Sequence, residues 1–222
     1  MKIHITATIL LIKVSFSAFA LDVGPISSFI SSNSTLLEKE IKNSSNNGNL
    51  VNIKIYRISS PLKEGEIIPM ENTGELLLTQ DNLVIPANSS RIIYFTYQGE
   101  EDDKERYYRI VWHVRELHHK QKSNLPHNTL MKTLAKIGTI LIVSPRKVKY
   151  DYHYSNGKII NTGNATLRVL AYGPCLKSIS KTDCRENYFL IPGREREFSR
   201  VDISDKNSHI SLWQGVQFVS VK

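Results

Sequence analysis

The two cysteines, Cys175 and Cys184, are the residues best able to form a covalent link in this chain of 222 residues. They have neither the C-x-x-C spacing of redox motifs nor a histidine nearby. In an oxidising compartment such an isolated pair is most simply a disulfide, and its short loop would add roughly 2–3 kcal/mol of stability. A metal or redox pair is the alternative. We predict a Cys175–Cys184 disulfide.

Four histidines are the next group that could do chemistry: His113, His118, His119 and His127. Their spacing matches no common ligand pattern, so we predict no metal site and no cofactor. The chain also lacks a Gly-x-Ser-x-Gly motif, a His-Glu-x-x-His motif and a phosphate-binding loop. We therefore predict no catalytic residue and no enzyme.

A long alternating segment near the middle of the chain carries the most information about binding. Its first half alternates uncharged residues with Lys132 and Lys136; the uncharged set is Met131, Thr133, Ala135 and Ile137. Its second half is apolar on both faces, as expected of a buried central strand. Leu130 and Leu134 interrupt the alternation. Two interpretations remain open: an edge strand protected by lysine, or a strand whose apolar residues bind a partner.

The elements around this segment also have the pattern of strands. Short apolar runs with turns between them, and without helical periodicity, predict a β-sandwich. The predicted strands are 50–58, 76–78, 83–85, 92–97, 107–112 and 130–143.

The pattern stops at Pro145 and then starts again. The second series predicts a smaller β domain, with a Ser155-Asn156-Gly157 turn, for which a disulfide is a useful supplement to a limited core. Its predicted strands are 150–154, 158–161, 167–172, 188–191, 198–203 and 216–221.

The N-terminus has the features of an export signal. A basic start leads into an apolar stretch that ends at Ala18-Phe19-Ala20, so we predict a signal peptide over 1–20, cleaved after Ala20. No later stretch is long and apolar enough to span a bilayer, so we expect no membrane insertion. The net charge of +8 falls to about +6 when Lys2 and Lys13 leave. We predict no nucleic-acid partner, because no basic helix or base-reading motif is present.

The order of these features resembles that of the periplasmic pilus chaperones of the chaperone–usher pathway. The run 114–117 is similar to the Leu-Arg-Glu-Ile run of their first domain. Other segments resemble the chaperones of the common pilus (Ecp/Mat type, α-clade): 105–112, 136–145, 161–168, 171–175 and 212–215. The resemblance covers essentially the whole mature chain. It implies an all-β fold of two immunoglobulin-like β-sandwich domains in tandem (PapD-like), which we expect over 21–145 and 146–222.

The resemblance also implies a function. Such a chaperone binds pilin subunits, both major and tip, in the periplasm and delivers them to the outer-membrane usher. Those pilins lack the last strand of their fold, and the chaperone lends a strand to the open groove. The implied donor residues are Met131, Thr133, Ala135 and Ile137, with Thr139 and Leu141 continuing into the chaperone's own core.

The sequence departs from the family at the site that anchors the pilin carboxylate. Better-known members use an arginine in the first strand and a lysine in the long strand. These positions correspond here to 26–28 and Ile140, and none of them is basic. The remaining candidates are Arg109, Lys136 and Arg146, and each could equally be a surface charge.

One alternative function stays open on the sequence: a secreted structural or adhesive pilus component with immunoglobulin-like domains. A pilin would be a single domain with an N-terminal donor extension, whereas this chain has two predicted domains and an internal donor-like strand. Self-association of the unloaded protein is a further interaction that stays open on the sequence.

Overall fold

The structure, a computed structural model, describes residues 21–117, 133–177 and 183–222, with only the backbone described at 133 and 134. Every regular element in these ranges is a β-strand. No helix in this part of the chain could cross a membrane. The predicted signal segment 1–20 and the predicted donor residue Met131 lie outside the described residues.

The described strands that precede residue 144 form two sheets. One sheet has the order β1-β3-β7-β5 and the other the order β2-β9-β8-β4-β6. The strands are β1 (Leu21–Asp22), β2 (Ser27–Ile30), β3 (Leu36–Asn43), β4 (Gly48–Ile58), β5 (Leu76–Leu78), β6 (Asn82–Ile85), β7 (Ser89–Tyr97), β8 (Arg106–Leu117) and β9 (Thr133–Val143).

The inward faces of these two sheets enclose one apolar core. Period-two alternation places Val51 and Ile53 of β4 inside, where Ile53 lies opposite Trp112 of β8. The Trp112 ring meets Phe95 of β7 edge-on, with centroids 6.4 Å apart. The sandwich predicted for this half of the chain is therefore confirmed.

The remaining strands enclose a second, separate core. Their two sheets have the orders β10-β11-β14 and β13-β12-β15-β16. They are β10 (Tyr152–Ser155), β11 (Lys158–Asn161), β12 (Leu167–Pro174), β13 (Asp183–Leu190), β14 (Glu195–Glu197), β15 (His209–Gln214) and β16 (Gln217–Ser220). This core is centred on Ile159, Leu167 and Ile210, all fully buried. The fold is thus two immunoglobulin-like β-sandwiches in tandem.

Two local predictions for the second sandwich are confirmed. Asn156 and Gly157 both have positive φ, 49° and 76°, which is the backbone of the tight turn that Asn-Gly favours between paired strands. Cys175 and Cys184 form a disulfide with Cα atoms 5.0 Å apart.

The strand predicted over 198–203 is wrong. The backbone N–H groups of Ser199, Arg200 and Val201 all donate to Oε1 of Glu186, a buried carboxylate on β13. A side chain therefore satisfies donors that a strand would pair with a neighbouring strand. The sequence pattern could not reveal this partner.

The strand pattern missed β1, β2, β3, β14 and β15, although the resemblance places a first strand across 26–28, where β2 lies. A buried lysine holds β2 in place. Lys39 of β3 donates from Nζ to the carbonyl of Pro25 and to Oγ of Ser28, both at 3.1 Å. Burial lowers the pKa of Lys39, and the charge of Asp22 partly offsets this effect. Lys39 thereby fastens the segment that crosses from the sheet of β1 to the sheet of β2.

Candidate functional site

Strand β9 is paired along its whole length on one side and only partly on the other. On one side it runs antiparallel to β8 from Thr133 to Val143. On the other side β2 runs parallel to it, and this pairing covers only Ile140–Val143. Among the described residues, the edge of β9 over 133–139 faces no strand. This open edge is the candidate binding site, because unpaired backbone groups on an edge can receive another strand.

The side chains of β9 change environment along the strand. Thr139 and Leu141 are buried in the chain's own core, and Thr139 accepts a hydrogen bond from Nε1 of Trp112 at 3.0 Å. Ala135 and Ile137, on the same face, are half-buried, and Ile137 packs against the edge of that core. Ala135 and Ile137 therefore form an apolar row that runs out of the core along the open edge.

A β-bulge interrupts the strand at Leu134. Ala135 pairs with Val114, but the next pair joins Thr133 to Arg115, so Leu134 is an extra residue. A bulge changes the period-two phase of a strand. Leu134, which interrupts the alternation in the sequence, is thus the extra residue of a bulge.

A cleft of about 890 Å³ lies beside the covered end of β9. It lies between the β2 region and the outward face of the β13-β12-β15-β16 sheet. Both sandwiches line it, through Pro25, Ile26, Ser27, Phe29, Ser31, Ser144, Tyr150, Thr166, Arg168, Asn187, Phe189, Trp213, Gly215 and Val216.

Direct contacts between the sandwiches fix the walls of this cleft. The backbone N–H and Oγ1 of Thr166 donate to the carboxylate of Glu105 at 2.7 and 2.6 Å. Burial raises the pKa of Glu105, while hydrogen bonds from Thr166 and Tyr107 act in the opposite direction. Phe29 packs on Phe189 with ring centroids 4.9 Å apart. The cleft is therefore built into the fold.

Of the three predicted anchor residues, Arg109 lies on the row that leads to the cleft. Arg109 of β8 pairs with Ile140 of β9, and Ile140 pairs with Ser27 of β2. Paired residues project from the same face of a sheet. Arg109 is half-buried. Its guanidinium makes no hydrogen bond or ion pair within the described part of the chain.

The other two candidates have different environments. Lys136 is exposed and lies opposite His113 on β8. Arg146 donates from one nitrogen to the carbonyls of Ser31, Ser32 and Ser34, at 2.8, 3.1 and 2.5 Å. Its guanidinium also lies 5.0 Å from the centre of the Tyr97 ring. Arg146 thus holds the loop between β2 and β3.

Arg168 is a cleft residue that sequence reasoning missed. It is the only charged side chain among the described residues that line the cleft. Its strand neighbours are Phe189 and Trp213, and its Nε donates to Oδ1 of Asn187 at 3.0 Å. Alternation along 167–172 could have placed Arg168 on the outward face, but nothing in the sequence shows that this face meets β2.

Comparisons with known proteins agree with this geometry. Residues 150–221 match the family model described as the EcpB C-terminal domain. The chain is 52% identical, over the full length of both chains, to the probable fimbrial chaperone EcpB of Klebsiella pneumoniae subsp. pneumoniae.

Two solved structures share the fold. One is the class 5 fimbriae chaperone CfaA, at 18% identity and a TM-score of 0.53, with 90% of this chain and 97% of that chain covered. The other comes from the Salmonella enterica SafA pilin in complex with the SafB chaperone, at 12% identity and a TM-score of 0.50, with 93% and 92% covered.

The full-length identity decides between the two functions that the sequence left open. It supports a chaperone and gives no support to a structural or adhesive pilus component. The resemblance to common-pilus chaperones is confirmed. The chain belongs to the EcpB family of fimbrial chaperones.

Proposed function

We propose that this chaperone binds a pilin subunit by adding β9 to the subunit's incomplete sheet. The open edge of β9 over 133–139 carries the proposal, since a strand with unpaired backbone groups beside an apolar row is what β-augmentation requires. The SafA–SafB complex shows that a chaperone of similar fold binds a pilin.

The proposed donor residues differ in what they can contribute. Ala135 and Ile137 continue the core row outward and are free to enter a pilin groove. Thr139 and Leu141 are already buried, so they anchor the donor strand in its own domain. Met131 and Thr133 remain proposed donors on the resemblance alone.

Simple energetics support a stable complex. Complete burial of an isoleucine side chain contributes about 1.5–3 kcal/mol, and an alanine contributes less. Each new backbone hydrogen bond adds about 0.5–1.5 kcal/mol net. The small Ala135 would leave a pilin pocket partly unfilled, which suits a donor that is later replaced by another subunit's strand.

We propose Arg109 as the anchor for the pilin carboxylate, ahead of Lys136 and Arg146. Its row through Ile140 to Ser27 leads to the end of the open edge, and its guanidinium has no carboxylate partner among the described residues. Lys136 lies four residues before Ile140, further out along β9. Nη1 of Arg146 already donates to carbonyls, and its Nε and Nη2 are unpaired within the described ranges but buried, so a pilin carboxylate would have to displace the surrounding loop to reach them. Arg168 supplies a second guanidinium from the opposite wall of the cleft.

The wider role follows from the family. We propose that the signal over 1–20 is removed after Ala20, that the mature protein acts in the periplasm, and that it delivers pilins to the outer-membrane usher without catalysing a reaction. We propose that the two domains span 21–145 and 146–222. The separate apolar cores, one ending at Val143 and the next beginning at Ile159, support that division.

Co-expression in the periplasm tests the proposal. The chain is produced with a tagged pilin that lacks its last strand, and soluble pilin and co-purified chaperone are measured. We expect Ile137→Asp to abolish the complex while the chaperone stays folded, because the charge would enter an apolar pocket. Val84→Asp, at an exposed position on β6 away from β9, is the matched control. A pilin that is equally soluble without the chaperone contradicts the proposal.

A further inference from the structure

The two most exposed large apolar side chains in the described part of the protein both line the cleft. Val216 is 91% exposed and Ile26 is 73% exposed. They come from different sandwiches, and Trp213, which is 37% exposed, lines the same cleft. Apolar side chains grouped at a cleft are more typical of a binding surface than isolated exposed ones.

Val216 also occupies an unusual position for its residue type. Gln214 pairs with Gln217, so Gly215 and Val216 form a two-residue hairpin turn, and Gly215 has φ of +63°. Such turns favour glycine, asparagine and aspartate over β-branched residues. A Cβ on Gly215 would lie 2.8 Å from Oη of Tyr150, so the turn is seated closely on the sandwich. The fold thus presents an apolar side chain at a fixed and exposed point.

Ile26 marks the place where the open edge of β9 ends. Its carbonyl accepts a hydrogen bond from the backbone N–H of Ile140 at 2.7 Å, and β2 covers β9 from there onward. A strand added along 133–139 cannot continue past Ile140, because β2 occupies that edge. The added segment must therefore leave β9 beside Ile26, at the cleft.

We propose that Ile26, Trp213 and Val216 form a second contact surface for the bound pilin, which we name the apolar clasp. The proposal rests on strand addition at β9. The clasp receives an apolar side chain of the pilin segment as that segment leaves β9. Arg168 is the only charged lining residue within the described ranges, so a segment with a positive charge at this point is disfavoured. The second sandwich thereby takes part in selecting the subunit.

Val216→Asp tests the clasp, with Val84→Asp as its matched control. Val84 is 49% exposed on β6, away from the cleft, and undergoes the same chemical change. We expect Val216→Asp to weaken pilin binding about tenfold, the effect of losing one buried valine. Val84→Asp should bind as the parent does. Aspartate suits a turn, so the variant should fold, and its melting temperature checks this.

Three results separate the outcomes. Parent-like binding by Val216→Asp overturns the clasp, while loss of binding by Ile137→Asp in the same assay leaves strand addition standing. If Ile137→Asp also binds as the parent does, strand addition itself fails. If sedimentation shows that Val216→Asp removes self-association of the free chain without changing pilin affinity, the occupant is a second copy and the proposal is wrong.

Fluorescence gives a readout on the parent protein itself, with the clasp intact. Trp112 is fully buried, whereas Trp213 is 37% exposed, so acrylamide should quench mainly Trp213 in the free chain. We expect pilin binding to protect Trp213 from acrylamide, with Trp213→Phe as the background. Unchanged quenching of Trp213 in a saturated complex contradicts the proposal.

Discussion

Nε1 of Trp112 donates a hydrogen bond to Oγ1 of Thr139 at 3.0 Å, and both residues are buried. This bond fastens β9 to β8 at the point where β9 passes from the core to its open edge. A donor strand has to be held firmly by its own domain while its outer part remains available. The Trp112–Thr139 bond meets the first of these requirements.

Thr139→Val should therefore affect stability more than binding. The substitution keeps the shape of the side chain but leaves the Trp112 N–H buried without an acceptor, at a cost of about 1–3 kcal/mol. Chemical denaturation measures this loss, and Thr139→Ser, which keeps a hydroxyl, should lose less. A Thr139→Val protein of unchanged stability that no longer binds pilin would instead make Thr139 a direct donor.

Arg109→Ala and Arg146→Met should have opposite effects. Loss of a charged anchor at Arg109 should weaken pilin binding about 10- to 100-fold with little change in stability. Arg146→Met removes the two N–H donors of Nη1 that three carbonyls of the loop between β2 and β3 share, so it should lower stability by about 1–3 kcal/mol. Pilin titrations and thermal melts of both variants make the comparison. The reverse pattern would move the anchor to Arg146.

Reduction of the Cys175–Cys184 disulfide should destabilise the second sandwich. Closing a loop of this length contributes about 2–3 kcal/mol, mainly by restricting the unfolded chain. We expect the Cys175→Ser, Cys184→Ser double variant to melt at a lower temperature, and reductant to have the same effect on the parent only. A reductant-sensitive double variant would show that the effect has another origin.

Acid should weaken the first sandwich through Asp102 and Glu71. Hydrogen bonds from Arg106 lower the pKa of Asp102 to about 2 from 3.8. Burial alone would raise the pKa of Glu71, but hydrogen bonds from Arg106 and Arg57 bring it below 4.5. A carboxyl group whose pKa is lower in the folded than in the unfolded protein stabilises the fold. This stabilisation is complete above the pKa of the unfolded state and is lost as the pH falls through the pKa of the folded state.

The expected loss from Asp102 therefore lies between about pH 4 and pH 2. Its size is about 1 kcal/mol after allowance for solvent screening. Denaturation of the parent and of Asp102→Asn across this range measures it, and the Asn variant should lose less on acidification. Burial raises the pKa of Glu105, which favours its protonated form in the fold and opposes the trend. Equal losses in both proteins would contradict the assignment to Asp102.

Much of this protein follows from local sequence. Alternation in 50–58 and 107–112, the Asn156-Gly157 turn and the isolated cysteine pair predict strands, a hairpin and a disulfide, because strand period, turn conformation and thiol pairing depend on residue type. The chaperone family and the donor role of β9 were predicted from the resemblance and not from local sequence patterns.

Only the tertiary structure shows which part of β9 has an open edge that a partner strand could pair with. A period-two pattern tells which face a side chain occupies, but it does not say which strand lies along each edge. β2 comes from more than a hundred residues earlier in the chain and covers β9 only from Ile140. Arg146 is an anchor candidate by sequence; in the fold its Nη1 donates to the carbonyls of a distant loop, while its Nε and Nη2 are buried without a hydrogen-bond partner in the described part of the chain. Arg168 and Val216 gain their significance only because the two sandwiches meet at one cleft.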